Sequence, residues 1–205
     1  MKLLILAPPA AGKGTQATLL SEYYAKPHLA FGDLLRQIVK EDSEPGLVIA
    51  NKMNSGEFIS DQLAWQIIKK HLEKNSNGFI LEGFPRNVAQ AQILEKEKVN
   101  LDAVVFLNVD IEELKKRHTN RLLCSKCGRN FTKKENDKCP DCLIPLTKRS
   151  DDKKDVFENR LRVYQKETEP LVDYYQKQGL LLNVDGNKKP VEIFQEITKV
   201  LDDKK

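Results

Sequence analysis

The stretch KLLILAPPAAGKGTQ, residues 2–16, decides the fold class of this chain. Its first six residues, Lys2 to Ala7, are apolar after Lys2 and typical of a strand buried on both faces, and a helix is predicted from about Gly14 to Tyr24. In such a strand–loop–helix arrangement, backbone N–H groups at the helix N-terminus bind phosphate and Lys13 adds a positive charge. Compared with the general pattern G-x-x-x-x-G-K-[ST], Ala7 replaces the first glycine and Gly14 occupies the hydroxyl position. The segment therefore predicts a phosphate-binding loop, with a chance strand–turn–helix as the alternative.

Apolar runs and helical periodicity alternate along the rest of the chain. Further short strands are predicted at His28–Ala30, Phe79–Leu81, Ala103–Val109 and Leu180–Val184. Further helices are predicted at Gly32–Lys40, from a cap at Asp61, at Val156–Lys177 and at Pro190–Leu201. This alternation predicts an α/β fold with a parallel five-stranded sheet and helices on both faces. Residues 124–149 lose the periodicity and are interpreted as an insertion.

Length, hydropathy and charge exclude several classes of protein. The 205 residues carry a formal net charge of only +4, which gives no indication of a nucleic-acid or membrane partner. No apolar run approaches the roughly 18 residues that cross a membrane. Leu3 to Ala7 is also shorter than the hydrophobic region of a signal peptide. We therefore expect a soluble, cytoplasmic protein, with no membrane or nucleic-acid partner, and a monomer.

Arginine is scarce in this chain, and this makes its positions informative. Of 34 basic residues only eight are arginine. The planar guanidinium can bind phosphate through two parallel hydrogen bonds, which a lysine cannot do. The arginines are therefore candidates for phosphate binding, although scattered surface charge is the simpler alternative. They are Arg36, Arg86, Arg117, Arg121, Arg129, Arg149, Arg160 and Arg162.

All four cysteines lie close together in the inserted segment, as two C-x-x-C pairs separated by 11 residues. A disulfide framework usually spreads along a small secreted chain, so this clustering favours metal ligands. Four thiolates in two such pairs are typical of a structural zinc site, because they fill all four positions around the metal. The predicted ligands are Cys124, Cys127, Cys139 and Cys142.

Three motifs together resemble the adenylate kinase family, a group of nucleoside monophosphate kinases. They are Gly12-Lys-Gly-Thr-Gln16, Gly32-Asp-Leu-Leu-Arg36 and Phe79-Ile-Leu-Glu-Gly-Phe-Pro-Arg86, the last followed by Gln90. The resemblance extends from residue 1 to about residue 202. It implies a core similar to that of P-loop NTPases, formed by residues 1–29, 60–116 and 155–205. It also implies a nucleoside-monophosphate-binding flap at 30–59 and a zinc-bearing lid, similar to a zinc ribbon, at 117–154.

The resemblance implies roles for the residues that match the family's motifs. Catalysis would depend on Lys13, Arg36, Arg86, Arg121, Arg149 and Arg160. ATP would be bound by Ala10, Ala11, Gly12, Lys13, Gly14, Thr15, Arg117 and Arg121. AMP would be bound by Phe31, Arg36, Glu57, Ile59, Gly83, Arg86, Gln90, Arg149 and Arg160. Arg117 would stack on adenine, Gln90 would contact the acceptor base, and Asp151 and Asp152 would belong to a motif beside the lid hinge.

The implied reaction is ATP + AMP ⇌ 2 ADP with Mg²⁺, and the implied second metal is structural Zn²⁺. Since Gly14 has no hydroxyl, Mg²⁺ would be held by phosphate oxygens and waters, with Asp33 and Glu82 in contact with those waters. Alanine at positions 7 and 10 departs from the family's usual glycine. If either position needs a positive φ, alanine costs about 1–2 kcal/mol.

The identity of the acceptor nucleotide has an alternative. Ala30 and Phe31 replace the family's usual Ser-Thr, so CMP or UMP is an alternative acceptor. Gln90 favours AMP, because an amide can pair with the donor and acceptor edge of adenine. Two other classes are alternatives: a P-loop ATPase with a nucleic-acid-binding zinc ribbon, and a nucleotide-binding protein with a disabled phosphate loop. No catalytic role is assigned to the histidines, and His118 is predicted to be a solvated helix position.

Overall fold

A computed structural model describes residues 1–41, 43–132, 138–148 and 154–203. The strands are β1 (Lys2–Leu6), β2 (His28–Ala30), β3 (Phe79–Glu82), β4 (Ala103–Asn108), β5 (Arg121–Leu123), β6 (Asn130–Thr132) and β7 (Leu181–Asp185). Five of them form a parallel sheet in the order β2-β3-β1-β4-β7, and β5 and β6 form a separate antiparallel pair. The predicted five-stranded parallel sheet is confirmed.

Helices connect the parallel strands and cover both faces of the sheet. They are α1 (Lys13–Tyr24), α2 (Phe31–Lys40), α3 (Glu44–Ser55), α4 (Asp61–Lys74), α5 (Val88–Lys96), α6 (Ile111–Thr119), α7 (Lys154–Val163), α8 (Pro170–Lys177) and α9 (Pro190–Asp202). A π-helical turn at Tyr164–Thr168 lies between α7 and α8. No helix within the described ranges is long and apolar enough to cross a membrane.

The apolar run of β1 divides the core into two layers. Successive side chains of a strand point to opposite faces. Leu4 and Leu6 pack with residues of α4, α5 and α8 on one face of the sheet. Leu3 and Ile5 pack with residues of α1 and α9 on the other face. Burial on both faces explains why β1 is a continuous apolar run rather than an alternating one.

The topology brings two loops to the same edge of the sheet. Because β1 and β3 are parallel neighbours, with Ile5 paired to Glu82, their carboxyl ends lie side by side. The loop that ends at Lys13 follows β1, and the loop that contains Gly83 and Arg86 follows β3. In open parallel sheets, ligands bind at this edge.

Two details of the predicted helices are wrong. The single helix predicted from Val156 to Lys177 is interrupted by the π-helical turn, in which the N–H of Glu169 donates to the carbonyl of Tyr164 at 2.9 Å. Helix α4 is capped by Ser60 rather than by Asp61. The hydroxyl of Ser60 accepts a hydrogen bond from the N–H of Leu63 at 3.4 Å, so it satisfies one of the unpaired donors of the first turn.

Candidate active site

The loop after β1 has the backbone shape of a phosphate-binding loop. Gly12 has a φ of 97° and Ala10 a φ of 65°, so both adopt left-handed conformations. The ammonium group of Lys13 donates to the carbonyls of Ala7 at 2.7 Å and Pro8 at 2.8 Å. The side chain of Lys13 therefore folds back across the loop after β1. Phosphate is predicted to bind at this loop.

Positive charge is concentrated around this lysine. Burial lowers the pKa of Lys13 to about 7, and the nearby charges of Arg160, Arg86 and Arg121 lower it too, whereas Glu82 raises it. A lysine surrounded by other cations is unfavourable in its charged form. Anionic phosphate groups in the same space would reverse this effect, so the arrangement is suited to binding a polyanion.

An open cleft of about 810 Å³ lies between the loop after β1, the loop after β3 and the segment that contains α2 and α3. Four predicted phosphate-binding residues line it: Lys13, Arg36, Arg86 and Arg160. Glu57 and Gly83, predicted to bind AMP, line it as well. The cleft thus gathers residues that are up to 147 positions apart in the chain, between Lys13 and Arg160.

Arg86 is fixed at the floor of this cleft by two kinds of hydrogen bond. Its Nε donates to the carbonyl of Gly83 at 2.8 Å, and its own carbonyl accepts from the hydroxyl of Thr168 at 2.7 Å. Burial lowers the pKa of Arg86 to about 10, and the charges of Arg160 and Arg36 act in the same direction. The guanidinium nevertheless keeps its proton at neutral pH, ready to neutralise phosphate.

Three predicted AMP-binding residues lie behind the lining of the cleft. Phe31 is 2% exposed and packs on Phe84, with ring centroids 5.6 Å apart, and Ile59 is 7% exposed. Gln90 is 1% exposed; its Oε1 accepts from the N–H of Arg86 at 2.7 Å and its Nε2 donates to Asp61 at 2.8 Å. The orientation of the Gln90 amide is therefore set by the protein.

The two arginines predicted on the ATP side lie next to the loop. Arg117 donates from Nη1 to the carbonyl of Ala11 at 3.1 Å and from Nε to Glu113 at 2.8 Å. Arg121 begins β5 and is close enough for its charge to lower the pKa of Lys13. Both residues thus belong to the cationic surroundings of the loop.

The two carboxylates predicted near magnesium differ in their surroundings. Oε1 of Glu82 lies 3.1 Å from Nε2 of His28, which donates to it in the tautomer that carries a proton on Nε2. A Cβ placed on Gly14 would lie 3.3 Å from Oε1 of Glu82, so the missing hydroxyl residue leaves room for the longer carboxylate. Asp33 instead forms an ion pair with Arg36.

His118 contradicts the prediction of a solvated position. It is 9% exposed, and its ring stacks on Phe157 with centroids 4.0 Å apart and planes 7° apart. The buried ring of His118, in α6, therefore makes a core contact with Phe157, in α7. The prediction was wrong because Phe157 is 39 residues away in sequence and the local residues around His118 are charged.

The four cysteines form one cluster in the segment that follows β5. All four sulfur atoms lie within 4.8 Å of one another, and Sγ of Cys127 lies 3.8 Å from Sγ of Cys139. Sulfurs bound to zinc at about 2.3 Å in a tetrahedron are separated by about 3.8 Å. Desolvation raises the pKa of Cys127, but hydrogen bonds from Arg129 and two neighbouring thiols lower it to about 6. The donor set therefore fits a four-thiolate zinc site.

Some predicted residues lie outside the described ranges, and some residues that line the cleft were not predicted. Arg149, Asp151 and Asp152 belong to the first group. Phe58, Met53 and Thr168 belong to the second. Phe58 lies between the predicted Glu57 and Ile59, so only its neighbours in the sequence pointed to it.

Comparisons with known proteins agree with this geometry. The family model described as adenylate kinase matches residues 5–180. The adenylate kinase of Methanosarcina barkeri is 42% identical over 98% of this chain and 98% of its own length. Those of Archaeoglobus fulgidus (41%, covering 98% of each chain) and Thermodesulfovibrio yellowstonii (40%, covering 100% of each chain) are similar. With a matching family model and relatives aligned along the whole chain, this chain belongs to the adenylate kinase family.

Proposed function

We propose that this chain catalyses the reversible, magnesium-dependent reaction ATP + AMP ⇌ 2 ADP. The bond between the γ-phosphorus and the bridging oxygen of ATP breaks, and a bond from that phosphorus to a phosphate oxygen of AMP forms. The observation that carries the proposal is the convergence of Lys13, Arg36, Arg86 and Arg160 on one cleft. Such transfer needs in-line placement and neutralisation of charge on the equatorial oxygens, with little covalent chemistry.

The arrangement of charges suggests a division of labour within the cleft. Lys13 and the amides of the loop after β1 would bind the phosphates of ATP. Arg36 and Arg86 would bind the phosphate of the acceptor, while Arg160 would contact the group in transfer. Arg86 is held by the carbonyl of Gly83 before substrate arrives, so its guanidinium needs little reorganisation.

Magnesium bound with ATP would neutralise charge on the phosphate oxygens. Glu82 is the carboxylate best suited to contact waters of that ion, because it faces the space beside Gly14. Asp33 would have to leave its ion pair with Arg36, which acceptor phosphate would promote by competing for that arginine. Structural zinc would bind the four cysteines and replace a core that a short inserted segment cannot form by itself.

Closure of two peripheral segments would exclude water from the reaction. The proposed units are a core of residues 1–29, 60–116 and 155–205, a flap at 30–59 and a lid at 117–154. On the flap side, the amide of Asn159 donates to the carbonyl of Ser55 at 2.6 Å. Gly56 also packs closely on Arg160, because a Cβ there would lie 2.9 Å from Cγ of Arg160. These contacts support a flap that closes on the helix that carries a catalytic arginine.

AMP is favoured over CMP or UMP as acceptor. The pyrimidine alternative arose from Ala30 and Phe31, but the ring of Phe31 packs on Phe84 and is not among the residues that line the cleft. The amide of Gln90 is oriented by Arg86 and Asp61 but lies behind the lining of the cleft, so it would contact a base only after binding exposed it. What supports AMP is the similarity to adenylate kinases along the whole chain. The nucleic-acid alternative has no support of this kind, whereas Lys13, Arg36, Arg86 and Arg160 all line the cleft.

The test is turnover resolved by acceptor, with purified protein, Mg-ATP and each of AMP, CMP, UMP and GMP in turn. We expect rapid ADP formation with AMP and at least about 10²-fold slower turnover for Lys13→Met, which removes the charge from the loop. Faster transfer to CMP or UMP would show that the preferred acceptor is a pyrimidine nucleotide and not AMP. No transfer to any acceptor would favour a protein that binds nucleotides without turnover.

The remaining expectations concern assembly and compartment. We expect a cytoplasmic monomer, which requires no partner residue to complete the cleft. Light scattering of the purified protein at micromolar concentration would test the monomer. A dimer at that concentration would contradict it.

A further inference from the structure

The hydrogen bonds of Arg86 do not explain how its positive charge is stabilised inside the cleft. Burial and the charges of Arg160 and Arg36 all oppose its positive charge, whereas Glu82 favours it. Arg36 is stabilised by an ion pair with Asp33. Arg86 is stabilised differently: its guanidinium carbon lies 4.8 Å from the ring centroid of Phe58.

The face of an aromatic ring attracts a cation although the ring carries no net charge. The negative face of the ring quadrupole stabilises a guanidinium placed over it within about 6 Å. A carboxylate at the position of Phe58 would stabilise Arg86 more strongly, but it would compete with phosphate for the same hydrogen-bond donors. An aromatic ring therefore favours the charge of Arg86 and leaves its N–H groups available.

Phe58 and Arg86 belong to different parts of the chain. Phe58 follows Gly56, the residue that ends α3 with a φ of 74°, and it lines the cleft. Arg86 is anchored on the sheet side through Gly83 and Thr168. Contact between them thus joins the segment after α3 to the loop after β3.

A second ring completes the surroundings of the guanidinium. Phe31 lies 6.0 Å from the guanidinium carbon of Arg86, a weaker contact than that of Phe58. Phe31 is 2% exposed and fixed against Phe84, so it forms a rigid wall, whereas Phe58 is half-buried in the cleft. The adjustable contact is therefore the one made by Phe58.

We propose that Phe58 is a positioning residue, whose ring holds the guanidinium of Arg86 in the orientation that binds the acceptor phosphate. The proposal rests on the proposed function, since it assigns acceptor phosphate to Arg86. It predicts an effect on the acceptor side of the reaction. Binding of ATP, on the other side of the cleft, depends on Lys13 and the loop after β1 and should not change.

The experiment compares Phe58→Leu and Phe58→Met, which keep an apolar side chain, with Phe58→Tyr, which keeps the ring. Leu47→Met is the control, because Leu47 lies on the exposed side of α3, 61% exposed, and is not among the residues that line the cleft. In Phe58→Leu and Phe58→Met we expect the KM for AMP to rise about 2- to 30-fold, the range of a partly desolvated cation–π contact. The KM for ATP and the melting temperature should stay unchanged, and Phe58→Tyr and Leu47→Met should resemble the wild-type protein.

Three results would overturn the role of Phe58: an unchanged KM for AMP without the ring, an equal rise in both KM values, or no rescue by tyrosine. Failure of the proposed function is distinguishable from these, because the unchanged protein itself would then transfer no phosphoryl group to AMP. In that case, calorimetric titration of AMP into the same four variants still tests whether the ring of Phe58 affects binding of AMP. Equal dissociation constants in all of them would refute the proposal.

Discussion

Replacing Ala10 by glycine should stabilise this protein, whereas the same replacement at Ala7 should destabilise it. Both alanines stand where the family usually has glycine, but their backbones differ. Ala10 has a φ of 65°, and Ala7 lies outside the left-handed region at the end of β1. Ala7 is also 5% exposed and packs in the core with Ile5 and Val105.

The magnitudes follow from these two environments. A left-handed alanine costs about 1–2 kcal/mol, and glycine loses about 0.4–1 kcal/mol through the greater freedom of the unfolded chain. Ala10→Gly should therefore raise the free energy of unfolding by about 1 kcal/mol. Ala7→Gly gains no relief of strain and removes a buried methyl group worth about 0.8 kcal/mol, so it should lower the free energy of unfolding by about 1–2 kcal/mol.

Urea unfolding and calorimetry measure both variants. About 1 kcal/mol corresponds to a shift in Tm of about 2–4 °C for a chain of this size. Ala25→Gly is the control for strain alone, because Ala25 is exposed and has a φ of 49° at the end of α1. It should gain about as much as Ala10→Gly. A loss of stability in Ala10→Gly equal to that in Ala7→Gly would refute the reasoning from backbone strain.

Four further outcomes are expected. Lys13 should take up a proton when ATP binds, close to one per molecule at pH 8 and far less at pH 6, because its pKa is about 7 in the free protein. Calorimetric titration of ATP in two buffers of different ionisation enthalpy measures this uptake. Equal heats of binding in the two buffers at pH 8 would contradict it. Since the unfolded chain keeps this proton up to about pH 10.5, the contribution of Lys13 to the free energy of unfolding should rise from pH 7 to pH 10.5 and be missing in Lys13→Met. Cys139→Ala should release zinc and lower Tm, whereas Ser125→Ala in the same segment should do neither; a metal-free unchanged protein with the same Tm would dismiss the zinc site. Gly56→Ala should lower the free energy of unfolding by about 1–2 kcal/mol from its φ of 74° alone, which urea unfolding measures. It should also raise the KM for AMP in turnover assays, because the new methyl group would press on Arg160.

The fold could be predicted from sequence because its signals are local. The run from Leu3 to Leu6 is apolar throughout, as burial on both faces of a parallel sheet demands, and a loop and a helix follow at once. The interruption of the predicted helix between Val156 and Lys177 also had a local signal. Pro170 has no N–H to donate, so a regular helix cannot continue through it.

Contacts between distant segments could not be predicted in this way. His118 stands among charged residues, and nothing near it in sequence indicates that Phe157 covers its ring. The ring of Phe58 over Arg86 is of the same kind, because it depends on how the segment after α3 lies against the loop after β3. Family motifs predicted Arg36, Arg86 and Arg160 as site residues, and the structure places all three in the lining of the cleft. The groups that hold arginines in place, such as Phe58 beside Arg86, required the structure.

The crowding of cations around Lys13 has a consequence for the conditions in which this protein is studied. A site that contains Lys13, Arg86 and Arg160 within reach of one another attracts any multiply charged anion, including sulfate, pyrophosphate and inorganic phosphate. In a medium that contains such ions, nucleotide binding becomes an exchange of one anion for another. The measured affinity for nucleotides is then a difference between two affinities, and it changes with the choice of buffer salt.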